Sequence, residues 1–318
     1  MLAALKFVQG SVAKKDFIPA LTHFSIKEGK VRGYNGALAL CTPIPFDIAC
    51  NPKAEPLIKA IGHCDDTVAL SMTPAGRLSV KSGAFKALID CVDGETPHVE
   101  PEGETVEVDG EALLLSLKVL EKFIGDDASR PWSNGILLKG QTAFATNNVT
   151  LVEYWTGATF TRPLCLPRAA VKEILRIGEP PESAQCTDSS ITFHFAGDRW
   201  LRTQLISTEW PDLQKVLDKA STQQPIDARI FQALVKLKPF CDKFGRIFIN
   251  EQGISTHENW AEGASYELQQ EALEGLYNVD MLANLEGTAV SIDWSTYPAP
   301  CLFQGDRLRG AIIGMRKA

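Results

Sequence analysis

The chain has 318 residues, room for two or three domains of about 100–150 residues, and a globular composition of 45% hydrophobic and 22% charged residues. It holds no apolar run of about 18 residues, and its start, Met1-Leu-Ala-Ala-Leu-Lys-Phe7, lacks a basic leader and cleavage site, so neither a membrane span nor a signal peptide is expected. A net charge of −7 excludes a uniformly basic nucleic-acid binder and leaves a basic face on an acidic body as the form such binding would take.

An apolar-periodic segment over 2–15 predicts a helix. Gly29 in Lys27-Glu-Gly-Lys30 predicts a hairpin turn, and 36–42 reads as a strand. The segment from Pro52 to Gly62 opens on proline and closes on glycine, the start and stop signals of a helix. A polar stretch, Pro101-Glu-Gly-Glu104, marks a boundary. Good helix formers then run without Gly or Pro from Glu111 to Ile124. Gly140 predicts a second hairpin turn, 149–155 a strand, and Pro167 to Gly178 a second proline-to-glycine helix. Strands are expected at 191–195 and 200–206, followed by a polar boundary at 219–225. The last third opens with a helical pattern over 228–244, which Pro239 should kink or break. It continues with a hairpin glycine, Gly253, and a weaker helix, 278–287.

These landmarks repeat. The first two proline-to-glycine segments share Pro, a basic residue and Ala at the start and Ile-Gly at the end. Gly29, Gly140 and Gly253 form one series, and Gly83, Gly197 and Gly305 another, at steps of roughly 108–116 residues. Glu95-Thr-Pro97 and Glu209-Trp-Pro211 close the first two units. The expectation is three tandem α+β domains, 1–104, 105–222 and 223–318, each with two helices packed on antiparallel sheet.

Catalytic and metal chemistry find little support. The eight cysteines contain no Cys-x-x-Cys pair and the five histidines stand alone, so no metal and no cofactor is expected. Asp65-Asp66 and Asp126-Asp127 follow helix ends and read as loop pairs. No nucleophile elbow, phosphate loop or His-Glu-x-x-His occurs. The charge, in contrast, is organised. The six predicted helices hold 14 Lys and Arg against 7 Asp and Glu, while the remainder holds 18 against 32. Basic elements in an acidic protein, with no arginine-rich reading helix, suit sequence-independent contact with phosphates.

The chain resembles, along its whole length, the bacterial DNA polymerase III beta sliding clamps. Ile18-Pro-Ala-Leu21 is similar to that family's first-domain Leu-Pro-x-Leu turn, Leu166-Pro-Arg168 to its Val-Pro-Arg, and Glu209-Trp-Pro-Asp212 to its Phe-Pro-Asp. Ser133-Asn-Gly-Ile-Leu137 with Phe144-Ala-Thr-Asn-Asn-Val-Thr-Leu-Val152 resembles its second-domain strand pair, and Ala311-Ile-Ile-Gly-Met-Arg316 its closing Val-Met-Pro-Met-Arg. The resemblance implies a DNA sliding clamp, a processivity factor and not an enzyme. Its expected form is a head-to-tail homodimer ring, closed through the regions of Phe85 to Ile89 and Phe240, that encircles double-stranded DNA in the cytoplasm. It further implies DNA-facing residues, with Lys15, Arg130 and Arg168 matched to basic positions of the family motifs. Lys6, Lys53, Lys59, Lys172, Arg176, Lys236 and Lys238 are assigned by helix placement. DNA polymerase and clamp loader would insert short peptides into a pocket formed by Val149, Leu151, Ile312, Ile313, Met315 and Arg316. The usual Asp-Gly-His-Arg reads Asn147-Asn-Val-Thr150, and Met-Pro-Met reads Ile313-Gly-Met315. This divergence and the short chain suit a phage-encoded clamp. The alternative is a clamp-fold scaffold or decoy that no longer encircles DNA, for which the base-free segment 278–286 is the best support.

Overall fold

A computed structural model describes every residue except Asp16, Asp66, Glu95, 269–273, Lys317 and Ala318. The order helix, strands, helix, strands occurs three times. The first round is α1 (Leu2–Val8), β1 (Ser25–Lys27), β2 (Lys30–Tyr34), β3 (Leu38–Pro43), α2 (Ala54–Gly62), β4 (Ala69–Met72), β5 (Leu78–Ser82) and β6 (Phe85–Ile89). The second is preceded by β7 (Glu104–Glu107) and comprises α3 (Gly110–Leu120), β8 (Gly135–Thr146), β9 (Thr150–Pro167), α4 (Arg168–Ile177), β10 (Ser183–Cys186), β11 (Ser190–Phe195) and β12 (Arg199–Gln204). A short helix, α5 (Gln214–Leu217), and β13 (Gln224–Pro225) lead to the third. It consists of α6 (Arg229–Leu237), β14 (Arg246–Asn250), β15 (Gly253–Ser255), β16 (Ser265–Glu267), β17 (Gly275–Asn278), α7 (Val279–Ala283), β18 (Ser291–Ile292), β19 (Cys301–Gly305) and β20 (Leu308–Ile312).

The helices are shorter than their hydrophobic periodicity suggests. α1 ends at Val8 and passes into a 3-10 turn over Gln9–Ser11. Pro52 and Pro167 lie just outside their helices: Pro52 bridges Cys91, and Pro167 is the last residue of β9. Pro239 acts as expected. α6 stops at Leu237 and the chain tightens into a 3-10 turn, because proline cannot donate the next helical bond. Gly29 sits at φ 64° in the two-residue turn between Lys27 and Lys30, which only a residue without Cβ strain takes readily. The reading of Gly140 as a hairpin turn is corrected. Gly140 lies inside β8, opposite Phe160, where two register shifts bend one long hairpin. At the third position the turn residues are Glu251 and Gln252, and Gly253 begins β15.

By packing the chain divides into two compact units, Met1–Leu114 with Ala169–Ser207 and Leu115–Arg168 with Thr208–Ala318. The first unit holds a seven-stranded sheet, β1-β2-β3-β12-β11-β10-β7, and a three-stranded sheet, β4-β5-β6. The second holds a six-stranded sheet, β13-β18-β19-β20-β9-β8, and a four-stranded one, β16-β15-β14-β17. Each large sheet therefore joins two rounds of the repeat edge to edge. β3 pairs antiparallel with β12 from Trp200–Cys41 to Thr203–Leu38, and β9 pairs with β20 from Leu308–Tyr154 to Ile312–Thr150. Leu5, Val8, Phe24, Leu57 and Phe193 are buried in the first unit, and Phe123, Tyr277 and Phe303 in the second. Each unit thus has its own apolar core.

Candidate functional site

In the second unit, strand alternation decides which of the expected pocket residues reach the surface. Leu151 pairs with Ala311 across β9 and β20, and both join a core cluster with Leu137, Phe144, Leu217 and Leu302. Period-two alternation puts Val149 and Ile313 on that same face and turns Ile312 to the other. Ile312 is fully buried, so its place as a pocket residue is corrected to core. The Ile313 amide donates to the Val149 carbonyl at 2.9 Å, which continues the β9–β20 ladder by one rung and leaves the Ile313 side chain 46% exposed. Met315 is half-buried: its amide donates to the Leu276 carbonyl and its carbonyl accepts from the Tyr297 hydroxyl at 2.9 Å. Arg316 is exposed.

Three further apolar residues adjoin this surface and are absent from the expected pocket. Trp210, Leu213 and Val216 are half-buried and pack against the Leu151 cluster, with Leu213 and Val216 set by α5. Trp210 stacks edge-on against Trp132, with centroids 5.3 Å apart. Their signal lay in the segment after Glu209-Trp-Pro-Asp212, where Leu213, Val216 and Leu217 fall at helical spacing. α5 is held down by Arg309 of β20, whose guanidinium meets Glu153 at 2.6 Å, Asp218 at 3.0 Å and the Leu217 carbonyl at 3.3 Å. The turn at the end of β8 is closed by its own side chains. The Asn147 side-chain oxygen accepts from the amides of Val149 and Thr150, and Asn148 takes φ 69°, a conformation asparagine tolerates better than most residues.

The expected DNA-facing residues fall into two groups. Lys6, Lys15, Lys53 and Lys172 are exposed in the first unit. There α1 packs on α2, and its last turn is tied to α4 by Arg176, which donates to the Phe7 carbonyl at 2.7 Å while gripping the buried carboxylate of Glu173. The remaining residues already have partners in the fold. Lys59 pairs with Glu55 at 2.7 Å, and the ammonium holds that carboxyl below its ordinary range. In the second unit Arg168 donates to the carbonyls of Ile124 and Gly125, capping the turn after α3. Lys238 pairs with Asp280 at 2.6 Å, Lys236 lies 5.1 Å from the centre of the Tyr266 ring, and Arg130 is exposed 3.9 Å from Asp127. Asp127 itself accepts from the amide and hydroxyl of Ser129, the behaviour of a loop-forming carboxylate; Asp66 lies outside the described residues. Burial pushes the Cys41 thiol up to about 11 and those of Cys50 and Cys165 to about 12, so these three stay protonated at neutral pH. Among the described residues no helix is long and apolar enough to cross a membrane, and no His, Cys, Asp and Glu cluster of metal-binding size occurs.

Three repeated rounds of two helices and antiparallel strands, joined by sheets that run from one round into the next, define the fold of a sliding clamp. More particularly, it is the fold of the bacterial DNA polymerase III beta subunit. The Pseudomonas aeruginosa DnaN clamp bound to griselimycin superposes with a TM-score of 0.83 over 100% of this chain and 97% of its own, at 17% identity. The Bacillus subtilis clamp gives 0.84 over 100% and 97%, at 13% identity. The Helicobacter pylori beta clamp bound to a DNA ligase peptide gives 0.79 over 99% and 97%, at 16% identity. The sequence matches no protein-family model and no curated protein.

Proposed function

We propose that the protein is a DNA sliding clamp: two copies close head to tail into a ring around duplex DNA and tether a polymerase without performing chemistry. One observation carries this reading. β3 pairs with β12 and β9 pairs with β20, so a strand that follows the first helix of one round joins the last strand of another. The counterparts left over are β16, the third such strand of the last round, and β6, the last strand of the first round. Both are outermost strands of their sheets. An unpaired edge is a template for another chain, and β6 of one copy against β16 of a second would repeat the internal joint. Such a contact is heterologous, and six similar joints over two copies would close it. Leu88 on β6 and Phe240 after α6 are 46% and 66% exposed, as residues awaiting a partner would be. Exposed lysines on the first-unit helices would meet phosphates without reading bases. The apolar surface around Leu151, Val216 and Ile313 would take a short peptide from the polymerase or its loader, with two or three apolar anchors. The work of such a clamp lies in the cytoplasm, with the chromosome.

The test is the native mass together with topology on DNA. A mass near twice 34.8 kDa at micromolar concentration, with retention on circular and loss from linearised DNA, is the expected result. A strict monomer that stays on neither form, even with its loader present, would overturn the ring and favour the scaffold or decoy reading. That reading finds its support in α7, which carries Asp280 and no basic residue.

A further inference from the structure

β7 and β13 have the same place in two rounds of the repeat. β7 precedes α3 and pairs antiparallel with β10, from Ser183–Glu107 to Cys186–Glu104. β13 precedes α6 and pairs antiparallel with β18, through Gln224–Ile292 and Pro225–Ser291. By the spacing of Gly83, Gly197 and Gly305, the corresponding strand of the first round is β4, with Leu70 in the place of Ala184 and Ile292, and Met72 in the place of Cys186. β4 pairs with β5 on one side, and among the described residues no strand lies on its other side. Burial records the difference. Ala184 and Ile292 are 0% exposed and Cys186 3%, whereas Leu70 is half-buried and Met72 is 40% exposed. Leu70 and Met72 stand opposite Val80 and Leu78, both fully buried, so their side chains share the core face of the sheet. The Thr73 amide donates to the Arg77 carbonyl at 2.8 Å, which sets the alternation of the ladder. Ala69 and Ser71 then bond to β5, and the backbone groups of Leu70 and Met72 turn outward.

We propose that the edge of β4 is a docking site for an extended peptide segment of a partner protein, which adds as an antiparallel strand with apolar side chains opposite Leu70 and Met72. A row of alternating amides and carbonyls is matched by another extended backbone, so the edge selects a polypeptide. The two covered rounds show its form. β7 and β13 are each the outermost strand of their sheets, so the place is one strand wide. A second copy of this chain would bring its own β4 with β5 and β6 attached, whereas an unstructured tail brings a lone strand. The site goes beyond the clamp reading: it lies at the opposite edge of the sheet from β6, which ring closure would use, and it needs no ring.

The probe is a fluorescent synthetic peptide copying residues 102–109, the segment that holds β7, added to the full-length protein. Binding is read by anisotropy and located by hydrogen exchange with mass spectrometry. Saturable binding, with slowed exchange confined to the β4 segment, is the expected result. N-methylation of the peptide at Glu104 and Val106, whose backbone groups face β10 by the same alternation, should weaken it about fivefold or more, and N-methylation at Thr105 and Glu107 should change it little. Met72→Pro removes an outward amide and no rung to β5, so it should weaken binding to the same extent, while Met72→Leu retains it. The methylated peptides test the same bonds without touching the protein. Lack of saturable binding, indifference to Met72→Pro, or protection centred on β10 or on the Leu151 surface would overturn the proposal. So would a native mass that falls on Met72→Pro without peptide, since the occupant would then be a second copy. A protein that fails the ring test and still binds the peptide at β4 keeps this site without the ring.

Discussion

Replacing Arg309 with alanine tests how the joint between β9 and β20 supports the apolar surface. Arg309 and Glu153 are register partners on these strands, and the Glu153 side chain is only 9% exposed. Removing the guanidinium strands that carboxylate beside apolar core and also frees Asp218 and the Leu217 carbonyl of α5. Breaking a buried ion pair by deleting one partner costs about 3–5 kcal/mol, whereas exposed pairs are worth about 0–1 kcal/mol. The Arg309 side chain is 37% exposed, so water can reach the space it leaves and rehydrate Glu153 in part. The expected loss is therefore at the lower end, about 2–3 kcal/mol. Urea unfolding followed by circular dichroism measures it as a shifted midpoint at unchanged slope. In the Arg309→Ala background, Glu153→Gln should cost almost nothing more, because the charge it removes no longer has a partner. Peptide affinity should fall as well, since α5 carries Val216 and Leu213 precedes its first turn. A loss below about 0.5 kcal/mol, or strict additivity of the two substitutions, would refute the reasoning.

Ile313→Asp should abolish stimulation of the polymerase at little cost in stability, because nearly half of the residue is already in water and the proposed peptide would cover it; unchanged stimulation would move the peptide site elsewhere. Replacing Lys6, Lys53 and Lys172 together with alanine should weaken DNA retention and reduce the salt slope by up to about three units, with each site changing stability by less than about 0.5 kcal/mol. Arg168→Ala should instead destabilise the fold by about 1–3 kcal/mol in urea, since the carbonyls of Ile124 and Gly125 lose their donor. Gly10→Ala should cost about 1–3 kcal/mol: a Cβ there would lie 1.8 Å from the Glu173 carboxylate, which Arg176 holds in place, and the urea midpoint reads the cost.

Local chemistry made much of this protein legible from its residues. Pro239 ends α6 because a missing amide cannot be supplied from elsewhere, and Gly29 turns the first hairpin because positive φ is cheap without a Cβ. The spacing of the two glycine series was enough to count three rounds of one pattern. The motif reading grouped Leu151 with Ile313, and strand alternation places these two on one face. It mistook Ile312 for a neighbour because adjacent strand residues point in opposite directions, and it placed a turn at Gly140 where a long hairpin only bends.

What the tertiary structure alone decided is partnership. Every strand offers the same row of amides and carbonyls along its edge, so no periodicity could say that Leu40 of β3 would find Leu201 of β12, or that Leu151 would find Ala311. The charge count likewise could not tell the lysines left in solvent from Arg168 and Arg176, whose guanidiniums brace the fold. Composition counts a side chain wherever it stands; its role depends on which carbonyls and carboxylates the folded chain carries to within hydrogen-bonding distance, and those come from residues far away in sequence.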